Sequence, residues 1–233
     1  MAKKRLEKNN NAIIRKEKKA KEQGKKVFKR NNKAFICGQI EEDIERSCGK
    51  QGTRVEYYRT KIGCLRDNGE KDFIPIMIPG TIIKDKITKG KWIEVIGRIG
   101  TYRKTLENNK RYMNVSVYVS EYVLYDRKED MEEESNENLV YLEGSLCKDA
   151  GTFSDQKVDL LVAVNCKKNW KETAFVPCIV LGGLLDKAAK LKSGDQIVLY
   201  GRFQSKRYRK KINEKFFKWQ TSYEVATIWV KTK

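Results

Sequence analysis

The sequence contains no histidine among its 233 residues, and this absence restricts the chemistry that the chain can perform. Histidine is the commonest general acid or base and a member of most catalytic triads. Its absence argues against an enzyme, so we predict no catalytic residues. Zinc sites use closely spaced cysteine and histidine, but the cysteines form no Cys-x-x-Cys pair. We therefore predict free buried thiols, no metal site and no cofactor; the cysteines are Cys37, Cys48, Cys64, Cys147, Cys166 and Cys178.

The sequence also lacks a long apolar run. No segment approaches the roughly 20 apolar residues that a helix needs to cross a bilayer. The first residues do not combine a basic segment with a following apolar one, so they predict no secretory signal. We expect a cytoplasmic protein without a membrane partner.

Basic residues are abundant instead. Lys and Arg number 50 against 31 Asp and Glu, which gives a formal charge of +19. A field of this sign attracts polyanions, nucleic acid first. Fourteen of the first 33 residues are Lys or Arg, and their apolar residues are too scattered to build a core. We predict a basic, disordered tail over residues 1–31 that grips phosphates without sequence preference; a solvated leader that only aids solubility is the alternative.

A second change in composition divides the rest of the chain. Residues 126–137 are acidic and lack strand formers, so we predict a linker there, between domains at 32–125 and 138–233. The two domains share matching segments in the same order. DFIPIMIPG at 72–80 answers AFVPCIVLG at 174–182, Gly-Arg at 97–98 answers 201–202, and VSEYVL at 119–124 answers VATIWV at 225–230. Nearly constant offsets of 102 to 106 residues indicate the duplication of one domain.

Alternating apolar residues predict five strands in each copy. They lie near 33–40, 54–63, 72–79, 91–99 and 111–124, and near 138–147, 157–166, 173–181, 196–204 and 216–230. In the second copy Leu184, Leu185, Ala188 and Leu191 share one face of a helix before Gly194. A helix between the third and fourth of five strands is the order of an OB-fold. We predict an all-β fold with a minor helix, made of two tandem OB-fold five-stranded Greek-key barrels.

Together these segments resemble bacterial single-stranded DNA-binding (SSB) proteins and the related primosomal OB proteins. The second copy supplies Phe175, the helix, KSGDQIVLYGRF at 192–203 and Tyr208; the first supplies Phe73, KGKWIEVIGRI at 89–99 and Tyr102. The resemblance covers about residues 32–125 and 138–232. It implies non-catalytic, largely sequence-independent binding of single-stranded DNA in replication, recombination or mobile-element maintenance, in a nucleoid-associated protein.

The resemblance also bears on assembly and partners. Such proteins usually carry one OB domain per chain and gather four of them, so it implies a homodimer of this chain with four barrels. They often end in an acidic tail with a terminal aromatic residue that recruits partners. This chain ends ATIWVKTK, which is basic, so recruitment by that route is not expected.

Binding a single strand requires cations along the phosphates and aromatic rings on which bases stack. The stretch after the fourth strand offers both, with Tyr208 at a loop tip, although a solvated basic hairpin is the alternative. The predicted site there comprises Tyr102, Arg103, Lys104, Tyr112, Lys206, Arg207, Tyr208, Arg209, Lys210 and Lys211.

For the other candidate residues, the sequence leaves two roles open. Phe73 and Phe175 either stack with bases or belong to the core, and Trp170, after two lysines, suits a stacking position. Arg98 and Arg202 either reach phosphate or pair with carboxylates. Alternation around Met113 directs Tyr112 away from the core.

An offset of 106 aligns Trp219 with Met113, which predicts a core position for Trp219. RNA binding and a protein–protein adaptor are the alternative functions. A nuclease is not favoured, because the richest acidic cluster is the predicted linker, which has no scaffold to hold a metal.

Overall fold

The computed structural model describes residues 31–47, 55–105, 111–131, 138–154, 156–165, 173–211 and 217–233. Most of this part is strand. The strands are β1 Asn32–Ile40, β2 Glu45–Ser47, β3 Tyr57–Leu65, β4 Lys71–Pro79, β5 Trp92–Thr105, β6 Arg111–Tyr125, β7 Asn138–Leu146, β8 Gly151–Ser154, β9 Lys157–Asn165, β10 Thr173–Leu181, β11 Gln196–Lys211 and β12 Phe217–Thr232. Helical structure comprises the 3₁₀ turns Gly80–Ile82, Lys128–Asp130 and Gly182–Leu184 and the short α-helix Leu185–Ala189.

The strands close into two barrels of the same topology. In the first, the order β1–β3–β4–β6–β5 returns to β1, with β4 and β6 parallel and the other pairs antiparallel. In the second, β7–β9–β10–β12–β11 repeats this order and returns to β7. The α-helix follows the third strand of the second barrel, and a 3₁₀ turn takes its place in the first. The predicted fold class is confirmed.

Alternation of side chains fills both barrels. On β4, Ile74, Ile76 and Ile78 are buried, while the residues between them are partly exposed. On β9, the apolar residues from Val158 to Val164 alternate in the same way, because successive strand residues point to opposite faces. The buried residues of both barrels form one continuous hydrophobic cluster.

The two barrels are joined by antiparallel pairing of their first strands, β1 and β7. Asn32 faces Leu142 and Ile36 faces Asn138, with Ala34 facing Val140 between them. A shift of 106 residues turns Asn32 into Asn138 and Ile36 into Leu142, so it exchanges the two outer pairs. Ala34 and Val140 therefore lie on a pseudo-twofold axis that relates the barrels.

Two asparagines repeat on either side of this axis. Asn32 Nδ2 donates to the carbonyl oxygen of Ile99 over 2.8 Å, and the Ile99 N–H donates to Asn32 Oδ1 over 2.9 Å. Asn138 makes the same pair of bonds with the backbone of Phe203, at 2.6 and 2.9 Å. Asn32 thus links β1 to β5, and Asn138 links β7 to β11.

The long hairpins differ from the sequence prediction. The fourth strand of each five-stranded barrel, β5 or β11, continues to Thr105 or Lys211, so the basic segments that were predicted as loops are strands. In the second barrel, full burial on the core side ends at Phe203 and Val225. The hairpin continues beyond the barrel, and we call residues 204–211 with 217–224 the second arm. Residues 100–105 with 111–116 form the equivalent first arm.

The structure also corrects the alignment of the last strands. Ile99 faces Val117 and Phe203 faces Val225. Equivalent residues of β5 and β11 are therefore 104 residues apart, whereas those of β6 and β12 are 108 apart and not 106. Trp219 is equivalent to Arg111 rather than to Met113, two residues nearer the end of the arm.

Candidate nucleic-acid interface

The second arm has two chemically different faces. Its inner face continues the core side of the barrel and carries Arg207, Arg209, Phe217 and Trp219, since these residues alternate in step with Phe203 and Val225. Its outer face carries the residues between them, including Lys206, Tyr208 and Lys210. The sequence-predicted cluster from Lys206 to Lys211 is therefore divided between the two faces.

Aromatic rings and guanidinium groups stack on the inner face. Arg207 Cζ lies 4.9 Å from the centroid of the Trp219 ring, and Arg209 Cζ lies 5.9 Å from it. Arg209 Cζ is also 4.6 Å from the centroid of Phe217. Cations over aromatic faces hold these rings in place while leaving part of them open. Trp219 is 54% exposed and Phe217 is 50% exposed.

The predicted core position of Trp219 is therefore wrong. Strand alternation does place Trp219 on the same side as Val225, as expected from parity. The arm has left the barrel at this point, so no opposite sheet covers that side. Sequence alternation alone does not show where a barrel ends and a free hairpin begins.

Tyr208 lies within β11 on the outer face, not at a loop tip. Its hydroxyl donates to Oε1 of Gln220, its partner directly across the hairpin, over 3.0 Å. The ring is half-buried, whereas Lys206 and Lys211 are exposed and Lys210 is half-buried. A ring fixed by a cross-strand bond and flanked by lysines can offer a flat surface to a base.

A groove lies between the first barrel on one side and the second arm with part of the second barrel on the other. Lys61, Lys71 and Phe73 line it from the first barrel, and Arg207 and Trp219 line it from the second arm. Its basic lining residues outnumber the acidic ones; they are Lys61, Arg66, Lys71, Lys157, Lys206 and Arg207 against Glu41, Glu42, Glu70 and Glu224. The groove thus combines positive charge with exposed rings from both barrels.

Phe73 and Phe175 occupy equivalent positions and do not belong to the core. Phe73 is 42% exposed and Phe175 is half-buried, each between buried residues that point inward. The Phe73 N–H donates to Ser205 Oγ of the second barrel over 3.0 Å, and the Phe175 N–H donates to Thr101 Oγ1 of the first barrel over 2.9 Å. Each phenylalanine therefore lies where the arm of one barrel reaches the other barrel.

Arg202 pairs with a carboxylate, the second of its two predicted roles, and that carboxylate belongs to the other barrel. Arg202 Nε lies 3.2 Å from Oδ2 of Asp72, which is fully buried, and Nη2 donates to the carbonyl oxygen of Leu65 over 2.9 Å. Arg98, the equivalent residue, instead lies with Cζ 5.2 Å from the ring centroid of Tyr118.

Asp72 stays ionised despite its burial. Burial raises its pKa, but hydrogen bonds from Arg66 and the Ser205 N–H, together with the charges of Arg66 and Arg202, outweigh that effect and lower the pKa below its usual range. The carboxylate is therefore charged at neutral pH.

The remaining predicted residues lie in the first copy and before β10. Tyr102 is on the outer face of the first arm and is 39% exposed. The side chains of Arg103, Lys104 and Tyr112 and the whole of Trp170 lie outside the described residues. The sequence prediction missed Phe217, Arg66 and Asp72; a charged residue beside the apolar run of β4 was the available signal for Asp72.

Comparison with solved structures finds two crystal structures of the single-stranded DNA binding protein from Thermus aquaticus, the wild type and a deletion mutant. Each has a TM-score of 0.63 and 18% sequence identity and covers 87% of this chain, with 92% of the wild-type chain and 94% of the mutant chain covered in return. The chain has the tandem OB-fold of that protein.

The other comparisons add little to this. The dimeric N-terminal domain of PriB from Thermoanaerobacter tencongensis has a TM-score of 0.33 and 17% identity over 41% of this chain and 98% of its own, too low to compare the folds. No protein-family model and no curated protein matches the sequence. Within the described part of the chain, no helix of the tandem OB-fold is long and apolar enough to cross a bilayer.

Proposed function

We propose that the chain binds single-stranded DNA without strong sequence preference and without catalysing a reaction. The observation that carries this proposal is the Trp219 ring, which stacks with Arg207 and Arg209, is 54% exposed and lines, together with Arg207, a groove to which both barrels contribute. Exposed rings offer stacking surfaces to any base, and the surrounding cations meet the phosphates. The Thermus aquaticus protein that has the same fold is a single-stranded DNA binding protein, which supports this proposal.

The biological setting belongs to the same proposal. The chain protects or organises single strands during replication, recombination or mobile-element maintenance, in the cytoplasm at the nucleoid. Domains at 32–125 and 138–233, joined by a linker at 126–137, cover a longer strand together than one barrel covers alone, because joining the second site to the first raises its effective concentration.

The decisive experiment compares oligo-dT, oligo-rU and duplex DNA of equal length at two salt concentrations. We expect the tightest binding to oligo-dT, weakened by salt with a slope of roughly 0.7 for each neutralised phosphate. Tighter binding to oligo-rU would favour the RNA alternative. Absence of binding to all three would leave the adaptor alternative.

A pair of tryptophan variants tests the site itself. Trp219→Ala should weaken oligo-dT binding by about 1–3 kcal/mol, the usual effect of losing one stacking ring. Trp92→Ala is the matched control. Trp92 also has a cation near its ring, Lys128 Nζ at 5.6 Å, but it is the first residue of β5 and is not among the residues that line the groove. Equal losses in both variants would contradict a stacking role for Trp219.

We further propose that two chains associate into a four-barrel homodimer through the outer face of the second barrel. Tyr141, Tyr200 and Trp229 form a row there, with ring centroids 5.0 and 5.7 Å apart. The three strands that carry this row belong to the same continuous sheet as the β1–β7 junction. A second copy would therefore cover the row and the junction together. Light scattering should give twice the chain mass, and Tyr200→Lys should halve it; a monomeric wild type would refute the assembly.

A further inference from the structure

The contact between the second arm and the first barrel is anchored by a buried ion cluster around Asp72. Arg66 Nε and Nη2 donate to the two carboxylate oxygens over 2.9 and 2.7 Å, within the first barrel. From the second barrel, Arg202 Nε lies 3.2 Å from Oδ2 and the Ser205 N–H donates to Oδ1 over 2.8 Å. One fully buried carboxylate therefore holds the base of the second arm against the first barrel.

At the pseudo-equivalent contact on the other side of the axis, the described residues have no carboxylate at the position of Asp72. Phe175 and Thr101 repeat the hydrogen bond of Phe73 and Ser205. The residue equivalent to Asp72, however, is Ala174, as the paired strands show. The two contacts thus share this hydrogen bond, but a carboxylate stands at the position of Asp72 and an alanine at that of Ala174.

This cluster borders the groove beneath the second arm. Arg66 and Ser205 line the groove together with Phe73, Arg207 and Trp219. Fixing the base of the arm fixes the spacing between the rings of the arm and Phe73. A site that is already in its binding geometry does not lose binding free energy to ordering.

We propose that Asp72 is a positioning residue that holds the second arm beside the first barrel, so that this groove binds a single strand more tightly than the corresponding surface beside the first arm does. The proposal rests on the proposed function, because it concerns the same groove. Asp72 itself does not contact the strand, since it is buried, and its negative charge opposes a polyanion. Its contribution is transmitted through Arg202 and Ser205.

Charge and position predict opposite results for Asp72→Asn. The substitution removes a negative charge near the groove, so electrostatics alone predicts tighter binding of DNA. Release of the arm predicts weaker binding. The experiment titrates the full chain with a fluorescent oligo-dT short enough to occupy one groove, and the wild type should show a tight and a weak class of site.

The expected outcome is selective. Asp72→Asn should weaken the tight class on the order of tenfold, by loss of preorganisation, and leave the weak class unchanged. Thr101→Ala, the matched control at the pseudo-equivalent contact, should change only the weak class. Tight binding that is unchanged or stronger in Asp72→Asn would overturn the proposal while leaving single-strand binding intact. A wild type that does not bind oligo-dT would instead refute the proposed function.

Arg202→Gln keeps the test decisive if Asp72→Asn does not fold, because Arg66 still neutralises Asp72 in that variant. A positioning role predicts weaker binding in the tight class with an unchanged salt slope. Direct phosphate contact by Arg202 would lower the slope by about 0.7 and would overturn the proposal.

Discussion

Asp72 is a carboxylate in a place where a sequence pattern predicts an apolar residue. It precedes the run from Phe73 to Pro79 and, like Ile74, is fully buried. A buried charge is tolerated only when it is well paired, and breaking such a pair by removing one partner costs about 3–5 kcal/mol. Arg66 lies only six residues before Asp72, but Arg202 comes from 130 residues further along the chain, so the sequence alone could not identify the contact between the barrels.

The lowered pKa of Asp72 makes a prediction about acid stability. A group with a lowered folded-state pKa stabilises the fold above its unfolded-state pKa, and this stabilisation is lost as the pH falls through the folded-state value. The difference in unfolding free energy between wild type and Asp72→Asn should therefore stay constant from about pH 8 to 5 and shrink only below about pH 4. Denaturant melts across this range measure it. A stability of the wild type that rises relative to Asp72→Asn as the pH falls from 7 to 5 would show that burial, not pairing, controls the pKa.

Tyr208 separates stacking from structural roles at one residue. Tyr208→Phe should bind oligo-dT nearly as well as the wild type, because stacking uses the ring. It should lose up to about 1 kcal/mol of stability through the missing hydrogen bond to Gln220. Tyr208→Ala should weaken binding by about 1–3 kcal/mol. Paired titrations and thermal melts measure both effects; Tyr208→Ala that binds like the wild type would exclude the ring from the site.

At the scale of elements, the strand that closes each barrel approaches its neighbour too closely for a side chain. In β7, a Cβ on Gly144 would collide with the carbonyl oxygen of Ala163 on β9, and in β1 a Cβ on Gly38 would collide with the carbonyl oxygen of Gly63. These two glycines occupy equivalent positions at the seams of the two barrels.

The seam predicts a position-specific cost for one methyl group. Gly144→Ala should lower the unfolding free energy by about 1–3 kcal/mol, the usual cost of overpacking. Gly183→Ala is the control, because a Cβ there meets no atom within 4 Å. Urea denaturation of both variants tests this; an equal response would mean that the closing strand is free to shift.

Element prediction succeeded where apolar alternation was strong and failed where charge replaced it. The core parts of β4 and β10 follow the sequence pattern closely, because buried and exposed residues alternate along them. The outer half of β11 is mostly basic, so nothing in its composition distinguishes a strand from a loop. Backbone pairing with β12 makes it a strand, and that pairing is not visible in residue types.

At the scale of the whole molecule, the duplication could be predicted but the geometry of the two copies could not. Repeated segments identify two like domains. The two barrels are joined by antiparallel pairing of β1 with β7. The sequence around Ala34 resembles that of any other strand in a barrel, so it does not reveal that this strand also pairs with the other barrel. The single core cluster that spans both barrels follows from this pairing.

The basic tail adds a prediction for the full chain. Residues 1–30 lie outside the described residues, and their role stays a prediction from charge. Deleting residues 1–31 should weaken binding to all nucleic acids about equally and lower the salt slope, by roughly 0.7 for each lost phosphate contact on single strands. Titrations at several salt concentrations measure this. Identical affinity and slope after truncation would assign the tail no part in binding.

The pseudo-twofold axis through Ala34 and Val140 has a consequence for how this molecule can change by mutation. In an assembly of two identical barrels, every codon is expressed on both sides of the axis, so an acidic substitution at one contact appears at the other as well. Here each side has its own codon. A carboxylate can stand at Asp72 while alanine stands at Ala174, so one half can acquire a fixed arm without imposing it on the other half.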